Sequence, residues 1–60
     1  VSNDAAIADL RLHMDRLRGR LFQLVEATGL PKGQQLAIKG CIRNTTYDAQ
    51  ADLEETLNAH

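Results

Sequence analysis

Cysteine, proline and large aromatic rings are scarce in this chain of 60 residues, which holds one Cys, one Pro, one Tyr, one Phe and no Trp. A lone cysteine excludes an intramolecular disulfide framework and a multi-cysteine zinc site. With Phe22 and Tyr47 the only rings, the core falls to Leu, Ile, Val and Ala, which favours helices packed on helices. No apolar run approaches the roughly 18 residues of a membrane span. No short apolar segment follows a basic start in the manner of a signal peptide, so the expected location is cytoplasmic. Neither sign of charge dominates: seven Lys and Arg stand against eight Asp and Glu, a net charge of −1. General nucleic-acid binders are usually basic. Sixty residues make one small domain, and a core of that size seldom offsets the cost of ordering the chain without disulfides, metal or partner subunits. A partner subunit is therefore expected.

What is present is helical pattern on either side of one break. Thr28-Gly29-Leu30-Pro31 reads as a helix end, with Gly29 suited to the left-handed position after the last turn and Pro31 close behind. Ser2, Asn3 or Asp4 can cap the first helix, and Asp4 and Asp9 lie near its positive end. The expected elements are a helix over 4–28, a turn at 29–31 and a helix over 32–58, with Pro31 opening the second helix. A turn this short makes the helices antiparallel.

In the first helix Ile7, Leu10, Met14, Leu17, Leu21 and Leu24 recur at alternating spacings of three and four, an a/d heptad seam. Leu12 and Phe22 lie outside the seam and suggest a second buried face. In the second helix Ile38, Ile42, Thr45, Ala49, Leu53 and Leu57 form the expected inner stripe, with Ala37 and Cys41 beside it. Gly19 and Gly40 offer places for close backbone approach. Residues whose numbers add to about 60 should face one another, which sets Arg11 by Asp48 and Asp52, and Arg16 by Tyr47 and Asn44. One such hairpin leaves much of its apolar surface wet. The expected fold is all-α, an antiparallel two-helix hairpin over residues 1–60 that dimerises into a four-helix bundle. Ile7, Leu10, Met14, Leu17, Leu21 and Leu24 carry the contact.

The polar residues admit two classes of reading. Arg11, Arg16, Arg18 and Arg20 form the basic cluster of the first helix, as a solvated rim with stems covering apolar surface or as an anion site. Lys39, Arg43 and Tyr47 follow at four-residue intervals, with Arg43 placed to pack over Tyr47. With Arg16 and Arg20 they are the candidates for a nucleotide or RNA site, two or more cations for phosphates and one ring for a base. Asp48, Asp52 and Glu55 read as a solvated acidic face, since oxygen cages for hard cations normally use loops. No metal or other cofactor is expected. His13 reads as a hydrogen-bonded partner of Asp9, His60 as a mobile end, and Cys41 as a buried reduced thiol. The Asn44-Thr45-Thr46 acceptor pattern lies mid-helix and is discounted. No acid–base or nucleophile constellation forms, so the chain is not expected to be an enzyme. A helix-turn-helix DNA reader is disfavoured by two long collinear helices and a second helix that is not basic.

In plan, with its two helices, tight turn, heptad seam and lone Cys41, the chain resembles the small plasmid RNA-binding hairpins of the ROP type. Leu30-Pro31 followed by Gln35-Leu36-Ala37-Ile38-Lys39 is similar to the opening of the second helix in short phage counter-defence hairpins that sequester cyclic nucleotides. Both resemblances imply an obligate oligomer, and no site residue is carried over from either. The expected function is that of a non-enzymatic, homo-oligomeric interaction module acting through protein–protein association, with itself or with a protein partner. The alternative is a nucleotide- or RNA-binding hairpin of regulatory or counter-defence type.

Overall fold

The structure, a computed structural model, describes residues 3–59. Ser2 as a cap and the terminal His60 lie outside the described residues. Two helices, α1 (Asp4–Ala27) and α2 (Lys32–Asn58), pack side by side as an antiparallel hairpin. Four residues join them. The turn is closed by its own hydrogen bonds. Gly29 takes φ +72°, the left-handed conformation that favours glycine. The Thr28 N–H donates to the Val25 carbonyl at 3.2 Å and the Gly29 N–H to that of Glu26 at 3.4 Å. The Thr28 hydroxyl donates to the Val25 carbonyl at 2.6 Å and accepts from the Leu30 N–H at 3.3 Å. Pro31 stands at the N-cap of α2 with φ −55° and ψ 148°, one position earlier than its expected place in the first turn. Its carbonyl accepts from the N–H groups of Gln34 and Gln35, each at 3.0 Å.

At the other end of the hairpin Asn3 occupies the N-cap of α1 without a side-chain cap. Its amide nitrogen instead donates across to the Leu57 carbonyl, which ties the N-terminus of α1 to the last turns of α2. Its own carbonyl accepts from the Ile7 N–H at 2.9 Å.

The contact between the helices departs from the heptad expectation. The α1 residues that lose most surface are Ile7, Leu10, Met14, Arg18, Leu21, Phe22 and Val25. Leu17 and Leu24 stay 44% and 64% exposed, while their neighbours Arg18 and Val25 are 6% and 7% exposed. The cause is geometric. A 3.5-residue repeat drifts about 20° per heptad around a straight helix, whereas spacings of three, four and four give an 11-residue repeat that tracks it. From Ile7, Leu10 and Met14 the contact therefore steps to Arg18, Leu21 and Val25, and the later leucines of the seam rotate out of the hairpin. On α2 the contact also departs from the expected stripe. Ile42 and Leu57 are half-buried, Thr46 and Gln50 are buried, and Ile38, Thr45, Ala49 and Leu53 are exposed. Gly19 and Gly40 serve no close approach, since a Cβ on either would meet nothing within 4 Å.

The molecule is a single layer, 48 × 15 × 9 Å. A layer one helix thick has nothing to cover its faces, and among the described residues Val25 alone is a buried apolar side chain. No described helix is long and apolar enough to cross a membrane.

Candidate interaction face

At about 100° per residue, each helix presents one flank to either side of the plane that holds the two axes. The two flanks differ in chemistry.

One flank is laced by polar rungs. The Arg11 Nε donates to Glu54 Oε1 at 2.8 Å. Glu54 Oε2 accepts from the Gln50 amide at 3.2 Å, and Gln50 Oε1 accepts from the Arg18 Nη1 at 3.2 Å. Arg18 also pairs with Asp15, and its guanidinium carbon lies 3.9 Å from the centre of the Tyr47 ring. Lys39 pairs with Glu26 at 2.8 Å and sits 5.9 Å from the Phe22 ring centre. The network satisfies itself: among the described residues no buried side-chain nitrogen or oxygen lacks a partner. It holds the Glu54 carboxyl below the ordinary glutamate range, through the hydrogen bond from Arg11 first and that from Gln50 second, with partial burial opposing.

These rungs correct several expectations. Arg11 meets Glu54 rather than Asp48 or Asp52, and Arg18 rather than Arg16 or Arg43 lies against Tyr47. Side chains lean toward the N-terminus of their own helix. In an antiparallel pair each therefore reaches about one turn beyond its opposite number. Where the acceptor is a backbone carbonyl the lean is halved, and Asn3 meets Leu57 close to the simple register. Arg18 is a buried part of the contact rather than a solvated rim. His13 does bond to Asp9, as expected, through Nδ1 and the Asp9 backbone carbonyl at 2.7 Å.

The opposite flank is apolar and uncovered. Leu21 of α1 and Ile38, Cys41, Ile42, Thr45 and Thr46 of α2 line an open groove of about 320 Å³. Leu17 and Leu24 extend the face along α1, one turn either side of Leu21, and Ala49 and Leu53 extend it along α2. Cys41 is exposed in this groove, its Sγ 4.0 Å from Thr45 Oγ1, and is not the buried thiol expected. Of the six seam residues, Ile7, Leu10, Met14 and Leu21 are half-buried in the hairpin contact, with Leu21 also lining the groove, while Leu17 and Leu24 stay exposed.

The candidate anion residues are dispersed. Lys39 is neutralised by Glu26, and Tyr47 is stacked under Arg18. Among the described residues Arg43 makes no ion pair, and Arg16 and Arg20 project from the far side of α1, so the five are not gathered in one pocket. Among the described residues no group of three or more His, Cys, Asp or Glu is placed to hold a metal ion. The residues that pattern reasoning missed are Arg18, Thr46 and Gln50, because polar side chains leave no mark in an apolar periodicity. Comparison with family models, curated proteins and solved structures gives no match for this chain.

Proposed function

We propose that the chain is a non-enzymatic helical interaction module that works by associating with a second copy of itself through the apolar flank. The observation that carries this is the contrast between the flanks. The polar flank pairs its buried groups with one another and exposes Leu12, Leu36 and Tyr47 singly, whereas the other gathers Leu17, Leu24, Ile38 and Leu53 in water beside an apolar groove. Contiguous exposed apolar patches mark association surfaces. The face of the layer, 48 by 15 Å, offers on the order of 700 Å² per copy, close to the roughly 800 Å² per partner of a stable interface. Two layers stacked on this face make a four-helix bundle with the apolar groups inside.

The nucleotide- or RNA-binding alternative gains no support from the arrangement of Lys39, Arg43 and Tyr47, two of which are engaged within the hairpin. Sedimentation velocity over a micromolar dilution series tests the proposal. A dimer or larger species with concentration-dependent melting supports it, and a folded monomer throughout the series refutes it.

A further inference from the structure

The apolar flank has rims of opposite charge. On α1 it is bordered by His13, Arg20 and, further round, Arg16, with Asp9 the one acid among them. On α2 it is bordered by Asp52 and Asp48, with Glu55 behind. All seven are exposed, and none joins an ion pair with another of the described residues. With the four helices kept aligned, a twofold axis can bring this flank against itself in two directions. An axis across the helices stacks α1 on α1 and α2 on α2 with the turns at opposite ends. An axis along the helices stacks α1 on α2 of the other copy with the turns at the same end.

We infer, on the basis of the self-association proposed above, that the second copy docks with its turn at the same end, so that α1 of each copy lies on α2 of the other. The hairpin's own contacts supply the reach: Arg11 meets Glu54, Arg18 meets Tyr47 and Glu26 meets Lys39. An antiparallel α1–α2 pair between copies at the same height repeats that reach. It carries Arg16 toward Asp48 and Asp52, Arg20 toward Asp48, and His13 toward Asp52, against one like-charge approach of Asp9 toward Glu55, each twice by symmetry. The crosswise axis instead brings Arg16 toward Arg20 of the other copy and the two Asp48 carboxylates toward each other. Flanking charges beside an apolar seam set partner orientation in helical assemblies, and here they select the lengthwise axis. The burial supplies the attraction, and the rims decide its direction.

The test uses the full chain with Cys41→Ala and a nitroxide label at Lys32→Cys, beside the turn. Same-end docking gives an inter-copy distance below about half the molecular length of 48 Å, measured by pulsed electron resonance. A distance near the full length overturns the arrangement while leaving self-association standing. A monomer by sedimentation overturns both. Charge exchange gives a second readout. Arg16→Glu with Arg20→Glu weakens dimerisation about tenfold, and adding Asp48→Arg with Asp52→Arg in the same chain restores it. Unchanged affinity in the first variant, or no recovery in the second, counts against lengthwise docking.

Discussion

Leu24 and Leu12 lie on the same helix, 64% and 47% exposed, and neither is needed to close the hairpin. They differ in the flank they occupy: Leu24 extends the apolar face, and Leu12 stands on the laced side. Leu24→Gln therefore separates an assembling hairpin from a solitary one. Glutamine matches leucine closely in helix propensity, so the helix itself is little affected. Fully burying a leucine side chain is worth about 1.5–3 kcal/mol. Covering the surface that Leu24 still exposes is worth about 1–2 kcal/mol per copy, and symmetry doubles this to about 2–4 kcal/mol per dimer. The dimer dissociation constant should rise roughly 30- to 1,000-fold. Sedimentation over a dilution series reads that change, and circular dichroism at high concentration checks that helicity is kept. Leu12→Gln should stay within about threefold of the parent, as surface substitutions do. Equal effects of the two substitutions, or none from either, would refute the assignment of the apolar flank as the association surface.

Arg18→Ala should destabilise the fold by about 2–4 kcal/mol in urea titration, because it removes the stem that fills the centre of the contact and leaves Gln50 without its donor. Asp15→Asn, at the exposed end of the same pair, should cost under about 1 kcal/mol. The lowered Glu54 ionisation makes a stabilising contribution that is present above the ordinary glutamate value of 4.5. It is lost as the pH falls below that value and through the lower native one. Glu54→Gln should flatten this part of the melting-temperature profile between neutral and acid pH, and an unchanged profile would count against the Arg11–Glu54–Gln50 rung. Gly29→Ala places a side chain at φ +72° and should cost about 1–2 kcal/mol in the same titration, with helicity retained.

Composition and short-range pattern were enough to show two helices, because the signals are local. The leucine spacing of α1, the glycine and proline at the break, and the scarcity of rings each act within a few residues. The left-handed Gly29 follows from the same local chemistry. Apolar residues were legible as a stripe, but not which part of that stripe the hairpin itself would use. That choice depends on the small mismatch between a seven-residue repeat and the turn of a straight helix, which accumulates along α1 until Leu17 and Leu24 leave the contact and Arg18 and Val25 enter it. The polar rungs were also beyond pattern, since pairing Arg11 with Glu54 or Arg18 with Tyr47 requires knowing how far each side chain leans along its helix. Sequence by itself determined that this chain has more apolar surface than two helices can hide. Tertiary structure decided on which flank that surplus lies, because only packing fixes the rotation of each helix about its axis.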